Sequence, residues 1–274
     1  MKKYIFFIIV FISYSFIAQD SRIPLDTTVV TTNSVVIKGV TVPYKAKTGM
    51  QPVWDSNGKV VASLYYTYYT RTDVKDNSKR PLIMSFNGGP GSASVWMHIA
   101  YTGPKILKID QEGNPIQPYG IQDNPYSVLD VADIVFINPV NTGYSRPVVE
   151  KDEKVDEKYF FGVNADAKYL ADWLTTFMTR NNRWLSPKYI IGESYGGTRV
   201  MQLANELQNR QWMYLNGVIM VSPADYKIIR SGASEDIAMN LPYYTATAWY
   251  HKMLPADLQQ KDLEEILPEA ELFS

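Results

Sequence analysis

Gly192-Glu193-Ser194-Tyr195-Gly196 has the residue types and spacing that nucleophilic catalysis needs. A serine hydroxyl attacks a carbonyl only when it is held exposed beside a base, on a backbone turned sharply enough to clear its neighbours. Glycines two before and two after the serine permit that turn. The plain alternative is a glycine-rich turn in which serine merely caps a helix. The context favours the nucleophile, because residues 188–191 read as a strand and residues from 198 onward as a helix. A second run, Asn87-Gly88-Gly89-Pro90-Gly91, directly follows the apolar stretch 81–86. A glycine-dense loop at the end of a strand leaves backbone N–H groups free to face a ligand. In acyl transfer, one such loop and the residue after the nucleophile together stabilise the oxyanion, which pairs the N–H of Gly89 with that of Tyr195. A phosphate cradle is the rival reading. It is weak here, since the loop lacks both a Lys-Ser/Thr ending and the spacing of a dinucleotide fingerprint.

Both loops need strands beneath them and a helix behind the serine. Apolar runs at 81–86, 133–138, 189–191 and Gly217–Val221 read as buried parallel strands. Between the second and third, Val163–Arg180 carries Leu170, Trp173, Leu174, Phe177 and Met178 on one helical face. Asn164 is its predicted N-cap, and Asp166 lies near the positive end of the helix. A further helix is predicted over 198–208, with Val200, Leu203, Ala204 and Leu207 inward. Residues 34–70 favour strands, and Asp55-Ser56-Asn57-Gly58 marks a hairpin in which both Asn57 and Gly58 tolerate positive φ. The alternation predicts an α/β fold with a mostly parallel sheet and antiparallel strands at the N-terminus. Past Pro223 the strand signal stops. Tyr243, Tyr244, Trp249 and Tyr250 follow, then a helix-like segment at 256–267.

Composition excludes several function classes. With 46% hydrophobic and 20% charged residues, the 274-residue chain can bury a core and is not disordered. A net charge of −1 gives no basic surface, so no nucleic-acid partner is expected. There is no cysteine, which rules out disulfides, thiol nucleophiles and cysteine-ligated metals. The two histidines, His98 and His251, and the scattered acids have no metal-ligand spacing, so neither a metal nor a cofactor is expected. Met1-Lys2-Lys3 leads into an apolar run that ends at Ala18, too short for the roughly twenty residues of a membrane span. Residues 1–18 therefore read as a signal peptide, and the protein as exported to the periplasm or outside the cell, with no stable membrane span after cleavage.

Asn87-Gly88-Gly89-Pro90-Gly91-Ser92, Asn138-Pro139-Val140-Asn141-Thr142-Gly143-Tyr144-Ser145 and Gly192-Glu193-Ser194-Tyr195-Gly196-Gly197 resemble, in order and spacing, the three signature blocks of the serine carboxypeptidases. The resemblance runs from about Ser34 to the C-terminus and is nearest to the cysteine-poor bacterial branch. It implies an α/β-hydrolase fold, with residues 19–223 forming the front of the catalytic core and 224–274 the start of a helical cap insertion. It implies that Ser194 is the acyl-forming nucleophile and that Gly89 and Tyr195 are the oxyanion donors. It further implies that Asn87, Glu193 and the Gly88 N–H bind the free C-terminal carboxylate of a peptide substrate. An ionised Glu193 repels such a carboxylate, whereas a protonated one donates to it, so binding is expected to be best at acid pH. The chain departs from the family at three places. Tyr101 stands where many eukaryotic members carry a second carboxylate-recognising acid, Ser85 replaces a tryptophan, and Asn141 replaces a glycine.

The base is harder to find. His251 falls in the aromatic stretch that the resemblance assigns to the cap, and His98 precedes the nucleophile, so neither reads as the triad base. Asp225 and Asp236 are equally poor candidates for the triad acid. The resemblance places the family's catalytic Asp and His, with the closing core strands, beyond residue 274. The chain is thus expected to be an amino-terminal fragment with little activity of its own. Two alternatives remain open: another serine acyl hydrolase or acyltransferase on this fold, and a non-catalytic peptide-binding protein.

Overall fold

Three long antiparallel strands open the fold in a computed structural model that describes residues 23–150, 154–224 and 234–273. The leader expected at 1–18 lies outside these residues, as does Asp225. The strands are β1 (Thr27–Ile37), β2 (Val40–Trp54) and β3 (Val60–Arg71); valine and threonine recur in all three and tyrosine in β3, residues that suit a pleated surface. The β1–β2 turn is Lys38-Gly39, both at positive φ, as a two-residue hairpin requires. The β2–β3 turn falls where the sequence predicts it but is built differently. Only Gly58 has positive φ, the Asp55 carboxylate accepts from the N–H groups of Asn57 and Lys59 at 2.9 Å, and the ladder shifts at Val53/Trp54. The bulge takes up the twist that a second positive φ would otherwise supply.

The α/β portion follows. Its strands are β4 (Leu82–Phe86), β5 (Lys105–Leu107), β6 (Ile121–Asp123), β7 (Asp133–Ile137), β8 (Arg146–Pro147), β9 (Lys188–Glu193) and β10 (Gly217–Val221). Its helices are α1 (Glu157–Phe160), α2 (Val163–Arg180) and α3 (Tyr195–Asn209), followed by α4 (Ser234–Tyr250), α5 (Ala256–Gln259) and α6 (Leu263–Phe273). The main sheet runs β1-β2-β3-β7-β4-β9-β10, with β8 paired to β3, and β5-β6 form a separate hairpin. Strands β7, β4, β9 and β10 are mutually parallel, and β3 joins them antiparallel through β7.

The α2 face expected from its spacing is buried: Leu170, Trp173, Leu174, Phe177 and Met178 are all inaccessible to solvent. Trp173 and Phe177 stack at 5.3 Å, and Tyr66 meets both rings edge-on. Trp173 and Gln51 also exchange two hydrogen bonds, which satisfies polar groups inside the apolar layer. Asn164 is not the N-cap. Gly162, at φ 110°, occupies that position, and Asn164 lies in the first turn. Helix α3 begins at Tyr195, three residues earlier than the sequence predicts, because the turn is completed at Ser194 itself. The opposite face of the sheet carries Ile83, Ile134, Phe136 and Ile191, which cluster with Met97 of a π-helical segment at Met97–Thr102. In the C-terminal helices α4 packs on α6, and Trp249 donates to the Lys261 carbonyl at 2.9 Å. The helix-like segment at 256–267 divides into α5 and the start of α6.

Strand β4 is where the winding reverses. The chain places β7 on one side of it and β9 on the other, which opens a crevice beyond their carboxyl ends.

Candidate active site

Register assembles the site. Phe86 pairs with Gly192 across the parallel β4–β9 ladder, so Asn87 and Glu193 emerge side by side into the crevice. The Asn87 Nδ2 donates to Glu193 Oε2 at 3.0 Å. The Met97 N–H donates to Asn87 Oδ1 at 3.0 Å, which fixes the amide so that its NH2 faces Glu193. Ser94 braces the same loop. Its hydroxyl accepts from the Asn87 N–H at 3.3 Å and donates to the Ile137 carbonyl at 2.5 Å, while its own N–H donates to Asn138 Oδ1 at 2.9 Å.

Ser194 has φ 58° and ψ −124°, a region that L-residues avoid. The conformation persists because the surroundings determine it. The Ser194 N–H donates to the Val221 carbonyl at 3.0 Å, and its carbonyl accepts from the N–H groups of Gly197 and Ala224. The flanking glycines are needed for space: a Cβ on Gly192 would lie 2.0 Å from the Gly196 carbonyl oxygen. A Cβ on Gly88 would lie 2.5 Å from the Glu193 carbonyl oxygen and 2.6 Å from the Tyr195 nitrogen. The glycine loop therefore rests directly on the elbow. Among the described residues, the N–H groups of Gly88 and Gly89 donate to no protein acceptor.

The middle block forms the neighbouring wall. Asn141 and Gly143 both have positive φ, 61° and 50°. Asparagine tolerates this backbone region better than most residues, which accounts for its replacing a glycine there. A cavity of about 270 Å³ lies between this block and the glycine loop, lined in part by Pro90, Gly91, Val140, Phe160, Tyr195 and Arg199. Its mostly apolar walls suit a hydrophobic side chain.

Two charged residues to which the sequence assigns no role in the site lie under it: Arg199, and Asp166, read there only as a charge near the helix end. Arg199 is 2% exposed and donates to the Asn87 carbonyl at 2.7 Å and to Asp166 Oδ2 at 2.7 Å. Asp166 Oδ1 accepts from the Tyr169 hydroxyl, which accepts from the Val140 N–H. Burial and the adjacent carboxylate hold the Tyr169 phenol well above its ordinary pKa, so it stays a proton donor. A signal was present in the sequence. Asp166 falls on the apolar stripe of α2 with Tyr169, Leu170 and Trp173, and Arg199 on that of α3 with Leu203 and Leu207.

The histidines do not reach the serine. His98 lies on the π-helical segment, stacks on Phe136 at 4.4 Å and has its Nε2 2.7 Å from the Tyr69 hydroxyl. Burial pushes its pKa down to about 4. His251 is exposed, edge-on to Tyr250. Among the described residues, no hydrogen bond joins either imidazole to Ser194. Tyr101 is exposed, and the Ser85 hydroxyl is buried without a partner. Among the described residues, no group of three or more acids or histidines is placed to hold a metal ion, and no helix is long and apolar enough to cross a membrane.

The sequence profile of the serine carboxypeptidases matches residues 38–266. The chain belongs to the serine carboxypeptidase family. Serine carboxypeptidase-like 36 of Arabidopsis thaliana is 31% identical over 167 residues, covering 59% of this chain and 31% of the relative. Serine carboxypeptidase-like 8 of the same plant is 27% identical over 194 residues, covering 67% and 41%. The chain thus spans about a third of the length of these curated relatives. Among solved structures, Kex1(delta)p, a prohormone-processing carboxypeptidase from Saccharomyces cerevisiae, superposes with a TM-score of 0.56 at 20% identity, over 84% of this chain and 47% of that one. The serine carboxypeptidase fold, and the fold of this chain, is that of the α/β-hydrolases.

Proposed function

We propose that this chain carries the nucleophile, oxyanion hole and carboxylate-binding residues of an exported serine carboxypeptidase acting on peptides with a free C-terminus. The reading rests on one observation: the β4–β9 register sets the Asn87–Glu193 pair beside the strained Ser194. In this reaction the Ser194 Oγ attacks the last peptide carbonyl and gives its proton to a histidine supplied from outside the 274 residues. The N–H groups of Gly89 and Tyr195 stabilise the oxyanion. The C–N bond then breaks, the C-terminal amino acid leaves with the proton on its amine, and water hydrolyses the ester on Ser194. Asn87, Gly88 and Glu193 hold the departing carboxylate.

A fluorophosphonate probe offered to a protein that contains that histidine, and to its Ser194→Ala variant, tests the nucleophile. A blocked dipeptide and its C-terminal amide, offered to the same histidine-containing protein across pH, test the recognition. The expected results are labelling lost in the variant, hydrolysis of the free acid over the amide, and kcat/KM rising towards acid pH. Equal labelling of both proteins overturns the first assignment, and a flat pH profile overturns the role of Glu193. A second reading, as another acyl hydrolase or an acyltransferase, is favoured by the exposed Tyr101 where many family members carry an acid. Preference for the amide or ester substrate would select it.

A further inference from the structure

A buried ion pair is weak evidence for stability, because desolvating both charges offsets their attraction. The Asp166–Arg199 pair is almost wholly buried, joins α2 to α3, and ties its arginine to the site at two places. The Arg199 guanidinium donates to the Asn87 carbonyl at 2.7 Å, lies 5.1 Å from the centre of the Tyr195 ring, and is held from behind by Asp166. The Asn87 carbonyl shares one peptide group with the Gly88 N–H. A cation at the oxygen end of a peptide draws electron density away from its nitrogen and strengthens the N–H as a donor. That N–H has no protein acceptor among the described residues, and it belongs to the loop that rests on the elbow.

We infer that Arg199, oriented by Asp166, is a positioning residue that polarises and fixes the Asn87–Gly88 peptide so that the Gly88 N–H binds the substrate's C-terminal carboxylate. The inference rests on the carboxypeptidase reading and adds to it a charged residue that does not itself touch substrate. Asp166 serves two parts of the site. One oxygen orients Arg199, and the other accepts from Tyr169, which holds the Val140 N–H of the middle block.

Binding of N-benzoyl-phenylalanine and of its C-terminal amide, measured by calorimetry on the wild type, Arg199→Gln, Arg199→Lys and Asp166→Asn, tests this without requiring turnover. Arg199→Gln keeps a donor near Asn87 but removes the charge. It is expected to weaken the free acid about tenfold and the amide less than twofold, the scale of a weakened charge-assisted bond. Arg199→Lys restores part of the preference for the acid. Asp166→Asn keeps the arginine and loses a smaller part of the preference, so a poorly folding Arg199→Gln leaves two informative variants. A wild type that binds acid and amide equally overturns the carboxypeptidase reading and this inference with it. A wild-type preference for the acid that persists in the variants, or that falls only in step with amide binding, overturns the inference alone.

Discussion

At the scale of single residues, the site combines strain with burial. Ser194 at φ 58° costs about 1–3 kcal/mol relative to a relaxed residue, and only glycine occupies that region without penalty. Ser194→Gly is therefore expected to raise stability by about 1 kcal/mol in urea unfolding while abolishing probe labelling, whereas Ser194→Ala keeps the strain and gains nothing. His98 works in the opposite sense. Its folded pKa, about 4, lies below its ordinary 6.5, so between those values the unfolded chain binds a proton that the folded one does not. The His98 contribution is fully present above pH 6.5 and is lost as pH falls towards 4. The loss at the acid end is at most about 3 kcal/mol. Melting temperatures of wild type and His98→Gln across that window should converge as pH falls, and parallel curves would overturn the assignment.

At the scale of elements, the glycine loop and the elbow form one packed contact. Gly88→Ala places a methyl against backbone atoms of residues 193 and 195, which cannot retreat as a flexible side chain can. In a protein that contains the catalytic histidine, turnover is expected to fall at least about 100-fold with the fold retained, read as kcat/KM beside circular dichroism, since a small misplacement of an oxyanion donor has that effect. Much of this level could be read from sequence. The α2 stripe, the apolar strand runs and the glycine spacing each report a local periodicity or a steric need. Other features were not legible, because they depend on pairings between distant segments. The Gly162 cap replaces Asn164, the β5–β6 hairpin carries no strong pattern, and the Asp166–Arg199 pair makes sense only once α2 and α3 are adjacent. A charge on each of two apolar stripes was the clue, and it takes both helices together to interpret it.

At the scale of the molecule, the sheet of the described residues ends on β10, where Val218, Ile219 and Met220 are 40–47% exposed. An apolar strand at a sheet edge promotes self-association. In the 274-residue chain, Ile219→Lys is expected to lower the apparent mass in light scattering at high protein concentration. An unchanged mass would show that β10 does not mediate association. The position of β4 also has a consequence in time. This strand pairs with β7 on one side, but its other partner, β9, begins about 100 residues downstream at Lys188. At about 5–20 residues per second of synthesis, that edge of β4 waits about 5–20 s for its neighbour. The crevice is complete only then, so the glycine loop, made together with β4, is in place before the serine that it serves has been synthesised.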